Sequence, residues 1–490
     1  MHKRSRHEAL LHKADTSVRQ GSAKVVDTYR LHYHFSPQAY WMNDPNGLVY
    51  YDGWYHVFYQ HHPYSPDWGS MHWGHARTRD FINWEHLPIA LAPSEPYDAD
   101  GCFSGSAAAA DGMLQLFFTG HRVVAGKVIQ VQCRAFSRDG IHFEKDPDNP
   151  LIKTFPPDGS EDFRDPKVWK YGDLWYMVIG SGKDGCGKAL LYTSPNLRGW
   201  EYVGVLLESD GTQGTVWECP DVFQVDGKHV LTVSAMGIEP RRVFAIVGEM
   251  DYETGRFHSE SVQVLDYGPD FYAPQTFFGT DRRIMLAWMD SWEGDILSKP
   301  HNWAGAFTLP RELTLDSEGR LRVRPVVELE ALRKGNVLEQ DLAIRSDIQS
   351  FAEQDLERQG IEVCLQVDLA DTTASDFGIR FTDVQNSQQV SVGFIRHADQ
   401  LYLDTSSFRA SSSGTFTVEL PPEHNQLEIR LFLDRSSIEV FVNDGEASFT
   451  ARIYPLFFKL VPQLYAVGGD LRVRCFELWN LEKQRGGSDV

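Results

Sequence analysis

One pattern recurs along the first 325 residues and restricts the fold more than any other: a short strand, a turn carrying Asp, then a second strand dense in aromatic and β-branched residues. The clearest copy runs from Gly47 to Tyr51, turns at Asp52-Gly53 and returns from Trp54 to Gln60. Asp-Gly between two such runs marks a tight hairpin, because the favoured two-residue turns need positive φ at their central positions. Comparable turns stand at Asp111, Asp173, Asp226 and Asp281, at successive spacings of 59, 62, 53 and 55 residues. A third strand follows in His72 to Thr78, Val131 to Ser137, Ala189 to Thr193 and Val243 to Met250. A shorter fourth carries or follows an aromatic: Trp84, Phe143, Trp200 or Phe257. Four strands per unit and five units predict a five-bladed β-propeller over residues 30–325. A β-helix would need shorter and more regular rungs.

Beyond Pro325 the repeat stops. Val326 to Lys334 reads as a short helical connector, placed at 326–336, and residues 337–490 alternate as short strands separated by polar turns, with a further hairpin at Asn443-Asp444-Gly445. That pattern predicts a β-sandwich of ordinary domain size. Residues 1–29 form an N-terminal extension in which His7 to Arg19 suits a short helix on the surface. The expected fold class is therefore all-β, a five-bladed propeller followed by a C-terminal β-sandwich, and 490 residues suit two such bodies better than one core.

Charge narrows the partners. With 47 Lys and Arg against 68 Asp and Glu, the net charge of −21 argues against nucleic acid or an anionic membrane and favours an uncharged ligand. Several of the 13 Trp sit beside Asn, Asp, Gly and His rather than in apolar runs, which suits stacking on sugar rings. Cys102, Cys133, Cys186, Cys219, Cys364 and Cys475 show neither a C-x-x-C pair nor zinc spacing and are expected as free thiols in a reducing compartment. Residues 1–25 are polar and charged, so the expectation is a cytoplasmic protein with no signal peptide or membrane span.

The first strand of each propeller blade lines the central channel, so residues at the starts of those strands can converge at one mouth. Reading back from each turn gives Asp44-Pro45, Phe103-Ser104-Gly105-Ser106, Arg164-Asp165-Pro166, Glu218-Cys219-Pro220 and Tyr272-Ala273-Pro274. Three of the five carry a carboxylate at what look like equivalent points. Four carry a proline, which fixes φ and removes a donor where a strand begins. Like charges gathered round one axis cost stability unless function retains them. Three carboxylates without a metal-ligating His set suggest glycoside chemistry, in which one carboxylate attacks and another protonates the leaving oxygen; a calcium site is the alternative reading. Asp44, followed by the turn Pro45-Asn46-Gly47, is expected to be kept ionised by backbone donors and to act as nucleophile. Glu218, near that charge, is expected to hold a proton and act as acid/base. Asp165 would stabilise the oxocarbenium-like transition state, with Arg164 keeping it ionised.

These motifs resemble the signatures of glycoside hydrolase family 32: Trp41-Met42-Asn43-Asp44-Pro45-Asn46-Gly47, Phe103-Ser104-Gly105-Ser106, Phe163-Arg164-Asp165-Pro166 and Trp217-Glu218-Cys219-Pro220. The likeness extends over about residues 30–480, through Trp73-Gly74-His75-Ala76, Trp288-Met289-Asp290-Ser291-Trp292 and, beyond the repeat, Ser436-Ser437-Ile438-Glu439-Val440-Phe441. It implies a retaining hydrolase of β-fructofuranosides with Asp44, Asp165 and Glu218 as catalytic acids. It also implies that Trp41, Asn43, Gln60, Trp68, Phe103, Ser104, Arg164 and Trp292 line the sugar site, and that the Cys219 thiol helps to raise the pKa of the neighbouring acid. The expected substrate is sucrose or sucrose 6-phosphate, with a fructosyltransferase or a non-catalytic fructan-binding protein as alternatives. A phosphorylated substrate would want a basic rim, for which His61, His62, Arg122, Lys183 and Lys188 are candidates. No organic cofactor and no metal are expected, the only expected partner is a small sugar, and nothing in the sequence specifies an oligomeric state.

Overall fold

The structure, a computed structural model, describes residues 3–482 apart from 239, 241, 409, 411 and 423. Among the described residues, five sheets follow one another between Tyr40 and Pro325, each built on four antiparallel strands, with a short fifth strand added to the first. Their first strands are Tyr40–Tyr51, Gly101–Ala110, Phe163–Tyr171, Val216–Val225 and Tyr272–Thr276. Each packs against the next, and the last packs against the first, so the five close a ring. A two-strand ribbon cannot bury its own apolar face, and stacking sheet on sheet round an axis supplies that burial. The seam is sealed by backbone. Trp303–Ala304, from the fifth sheet's long insertion, pairs in parallel with Tyr40 and Trp41, and the Tyr50 amide donates to the Phe278 carbonyl at 2.8 Å.

The hairpin signals act through their dihedrals at three of the five positions. Asp52 and Gly53, Asp111 and Gly112, and Asp226 and Gly227 all take positive φ, as the tight turn demands. At Asp173 the preceding Gly172 takes the positive φ instead. Around Asp281 the chain makes a longer connection from Phe277 to Arg283, with Gly279 in the left-handed region, so Asp281 is not the turn residue that its spacing suggests.

Past Pro325, a short 3-10 helix at Val327–Leu332 lies where a helical connector is expected, and a strand already begins at Arg333. Two sheets then pack face to face. Alternate residues such as Ile361, Val363, Leu365, Phe377, Ile379 and Phe381 form the filling between them, the period-two pattern of a sandwich. The hairpin at Asn443, Asp444 and Gly445 has positive φ at all three. The N-terminal helix spans Lys3–Ser22, longer than its sequence suggests. It is docked rather than merely superficial: Ala14 and Val18 are buried with Ile89, against Leu11, Tyr40 and Tyr64. This stripe of Leu11, Ala14 and Val18 is narrow and rests on a small residue, which hides it from a reading of apolar runs. No helix among the described residues is long and apolar enough to cross a membrane.

The propeller and the sandwich meet through buried charge. Arg311, fully buried on the fifth sheet, pairs with Asp266 at 2.8 Å and with Glu439 of the sandwich at 2.6 Å. Glu439 in turn meets His34 Nε2 at 2.9 Å, while His34 Nδ1 meets Asp434 at 2.8 Å. A second joint lies nearer the seam. Arg452 pairs with Asp290 at 3.0 Å, and its backbone amide donates to Asp270 at 2.7 Å. Isolated buried ions would be strongly destabilising, whereas these are paired and hydrogen-bonded.

His34 gives this interface a pH signature. Burial alone would lower its pKa, but hydrogen bonds and charge from Asp434 and Glu439 outweigh that and raise it to about 9. A raised histidine contributes stability that is fully present below its unfolded value of about 6.5 and is lost as pH rises through the folded value. Urea unfolding should therefore show stability falling between about pH 7 and pH 9.5, by roughly 3 kcal/mol. His34→Gln, which cannot carry charge to both carboxylates, should lower stability at pH 6.5 and flatten that decline. An unchanged slope in the variant would remove His34 as its cause.

Candidate active site

All five first strands lose ladder register at their starts. The shifts fall between Met42 and Pro45, between Phe103 and Gly105, between Arg164 and Lys167 opposite Gly180 and Val178, between Glu218 and Asp221, and between Tyr272 and Gln275. Such bulges re-aim side chains out of the sheet alternation. In the last three strands the residue before the proline is left-handed: Asp165 at φ 66°, Cys219 at φ 46° and Ala273 at φ 52°. For a non-glycine residue, above all one that precedes proline, this conformation is strained. It recurs at one place in the repeat, where the chain turns into the channel.

This geometry corrects the equivalence read from the repeat. Measured from the proline, the partner of Asp165 on the fourth sheet is Cys219, not Glu218; Glu218 stands level with Arg164 and Tyr272. The contacts run within each row. Arg164 Nε donates to Glu218 Oε1 at 3.0 Å, and the Tyr272 hydroxyl donates to Glu218 Oε2 at 2.7 Å. The Cys219 amide donates to Asp165 Oδ2 at 2.9 Å.

Asp44, Asp165 and Glu218 belong to one connected cluster. Asp44 accepts from Asn43 Nδ2 at 2.9 Å and from the Ser104 hydroxyl at 2.7 Å, so side chains rather than the Pro45-Asn46-Gly47 turn supply the donors expected there. Even so, burial, the largest influence, leaves its pKa raised, with the charge of Glu218 acting in the same sense and the two donors opposing. Asp165 is 4% exposed, and burial together with the charges of Glu218 and Asp44 raises it to about 7 against the pull of Arg164. Arg164 does not hold Asp165 directly, because its guanidinium is spent on Glu218, on Asp162 at 2.7 Å and on Gln130 at 3.3 Å. The Cys219 thiol lies 3.4 Å from Asp165 Oδ2 and 3.7 Å from Asp44 Oδ2. It therefore touches the two aspartates rather than Glu218, the acid with which the resemblance associates it.

The other anticipated residues take distinct places. Trp41 is 2% exposed. Its Nε1 donates to Asn43 Oδ1 at 2.7 Å and its ring stacks on Trp292 at 5.7 Å, so it braces both. Gln60 is buried behind the mouth and donates to the Cys102 carbonyl at 3.0 Å. Trp68 and Trp292 are the exposed aromatics, at 49% and 39%. Trp68 meets Phe103 edge-on at 6.2 Å, and Phe103 lies flat on His121 at 4.0 Å. The five basic candidates for a rim are each engaged locally. His61 meets the Trp41 carbonyl, His62 the Asp67 carbonyl, Arg122 the Pro96 carbonyl and Lys183 the Pro157 carbonyl, while Lys188 pairs with Glu208.

Asp162, Gln130, Tyr272 and Thr119 were not anticipated as site residues. Tyr272 was legible, because it sits two residues before a proline just as Glu218 does. Thr119, whose hydroxyl accepts the Asp165 amide at 3.0 Å, and Gln130 lie on neighbouring strands that no local spacing connects to the acids. Among the described residues no group of three or more His, Cys, Asp and Glu side chains is arranged to hold a metal ion. The cluster can supply a carboxylate nucleophile, a second carboxyl able to exchange a proton, and a third buried beside them, flanked by aromatic surfaces for a sugar ring.

Residues 34–325 match the model of the glycosyl hydrolases family 32 N-terminal domain, and residues 328–480 match that of the family 32 C-terminal domain. The chain is 40% identical to a sucrose-6-phosphate hydrolase of Escherichia coli, over 97% of this chain and 99% of that one. It is 40% identical to a raffinose invertase of Escherichia coli, over 96% of this chain and 98% of that one. Among solved structures, a mutant family 32 beta-fructofuranosidase of Bombyx mori in complex with sucrose superposes with a TM-score of 0.85 at 35% identity, covering 97% of this chain and 99% of that one. The ring of sheets with three acids at its mouth, the sandwich behind it and the family models that span both identify the chain as a member of glycoside hydrolase family 32.

Proposed function

We propose that the protein hydrolyses the β-fructofuranosyl bond of sucrose, or of sucrose 6-phosphate, by double displacement. The observation that carries this is the gathering of Asp44, Asp165 and Glu218 closely enough for their charges to act on one another, with each carboxyl hydrogen-bonded to a different set of partners. Asp44, aligned by Asn43 and Ser104, attacks the anomeric carbon of the fructosyl unit. Glu218 gives its proton to the glycosidic oxygen as the bond to glucose breaks. Glu218 then takes a proton from water, the water oxygen attacks the same carbon, and the Asp44 ester is released with overall retention. Arg164 and Tyr272 fix both oxygens of Glu218, so the proton is presented in one direction. Asp165 binds sugar hydroxyls and meets the positive charge that develops on the ring.

The substrate assignment is supported by likeness to a sucrose-6-phosphate hydrolase and to a beta-fructofuranosidase in complex with sucrose, and the name of the first supports water as the acceptor. All six cysteines are free thiols, which supports work in the cytoplasm. Asp44→Ala and Glu218→Ala should each lower kcat on sucrose by several orders of magnitude with the fold retained. Loss of Glu218 should matter far less for a fructoside with a good leaving group, which needs little protonation. Equal losses on both substrates would remove Glu218 as the acid. At high sucrose, free fructose should dominate the products; predominance of fructo-oligosaccharides would make the enzyme a transferase.

Asp165 adds a stability test. A carboxyl raised to about 7 in the folded state binds its proton more tightly there than when unfolded, so stability falls as pH rises from about 4 to 7 and stays reduced above that. Asp165→Asn removes the charge and should stabilise the fold by roughly 2–4 kcal/mol at pH 8. That gain should vanish near pH 4, while activity is lost. A variant less stable than wild type at pH 8 would contradict the buried-charge account.

A further inference from the structure

At the opposite end of the ring from the acids lies a second concavity of about 300 Å³. It is formed where the first strands of the third, fourth and fifth sheets end, with the Phe277–Arg283 connection as its lip. Along the third sheet's first strand its lining runs from Lys167, two residues beyond Asp165, to Tyr171, six beyond, which the rise of an extended chain puts roughly 20 Å from that acid. The two ends do not communicate freely. Lys167 and Asp221, both buried, pair at 2.9 Å across the channel, and Thr276 ties itself to both: its carbonyl accepts from Lys167 and its amide donates to Asp221 at 2.6 Å.

Two features give this concavity a chemical preference. The first is a cation held ready. Arg283 donates from Nε to the Gln224 carbonyl at 2.5 Å and from Nη1 to the Thr280 carbonyl at 2.9 Å. Among the described residues it has no carboxylate within ion-pairing distance, although Asp281 stands on the same lip. Lys170, next to Tyr171 in the lining, has its ammonium over the Trp175 ring at 5.7 Å and no ion pair among the described residues. A guanidinium oriented by carbonyls and in direct contact with no carboxylate, although the charges of Asp221 and Asp281 reach it, can still take an anion, above all a phosphate, which accepts two parallel hydrogen bonds. The second feature is a flat aromatic wall. Tyr171, 49% exposed, lies parallel to Tyr252 with centroids 3.5 Å apart, and Trp169 Nε1 steadies the Tyr252 hydroxyl at 3.4 Å. Such a face suits the apolar side of a sugar ring, and the volume falls at the small end of ligand sites, enough for one ring and a phosphate.

We propose that this pocket is a second ligand site, separate from the catalytic mouth, that binds a hexose phosphate, with the phosphate on Arg283 and Lys170 and the ring on Tyr171. The full-length enzyme, its catalytic mouth filled with fructose, would be titrated calorimetrically with glucose 6-phosphate as probe, and with glucose and inorganic phosphate separately. The expected result is saturable binding of glucose 6-phosphate at one site, tighter than either half. Arg283→Gln should weaken it about tenfold or more and Tyr171→Ala by a smaller factor, while kcat/KM on sucrose stays unchanged in both variants. The proposal is overturned by no saturable binding up to about 10 mM. It is also overturned by binding that both variants leave intact, by binding that fructose displaces, or by inorganic phosphate binding as tightly as the sugar phosphate.

Discussion

Everything at the channel mouth follows from having to hold three carboxyl groups together where five strands begin. The charges of Asp44, Asp165 and Glu218 act on one another, and burial is the largest influence on both aspartates. The structure offsets this unevenly. Glu218 receives a guanidinium and a phenol, Asp44 receives an amide and a hydroxyl, and Asp165 receives a backbone amide and a thiol. Unequal partners are what allow chemically similar groups to play different parts. The strained backbone at Asp165 and Cys219 is the conformational cost of presenting those groups, and the closed ring of sheets is rigid enough to hold it.

The sandwich takes part in this without contributing an acid to the mouth. Its Arg452 grips Asp290, two residues before Trp292, and Trp292 stacks on Trp41, which holds Asn43 against Asp44. A chain of contacts thus runs from the second domain to the proposed nucleophile. Burial and the neighbouring Asp290 raise Asp270 to about 8, and burial raises Asp290 to about 6 against the pull of Arg452, which marks how dry this joint is. On the other side of the same interface, Arg311, Glu439, His34 and Asp434 form a charged spine between propeller and sandwich.

The sequence carried the architecture because its hairpin turns are local. Asp52-Gly53 and Asp226-Gly227 declare their dihedrals in two letters, whereas the looser connection around Asp281 does not. The acids were legible because proline punctuates the strand starts. The offset of one residue between Glu218 and Asp165 was not, since it depends on the bulges, and register is a property of pairing between strands. For the same reason the true partner of Arg164 was misread: adjacent residues on a strand suggest a pair, but Arg164 and Asp165 turn to different neighbours. The narrow stripe of the N-terminal helix and the long-range donors Thr119 and Gln130 leave no local signal at all.

The central claim is that Asp44 forms a covalent bond to the fructosyl unit while Glu218 handles the proton. Its most direct measurement is mass spectrometry of Glu218→Gln enzyme quenched during reaction with a fructoside bearing a good leaving group, followed by peptide mapping. With the first step still possible and the activation of water impaired, one fructosyl unit should accumulate as an ester on the peptide containing Asp44. Absence of any adduct under conditions where the leaving group is released, or its appearance on Asp165, would contradict the account.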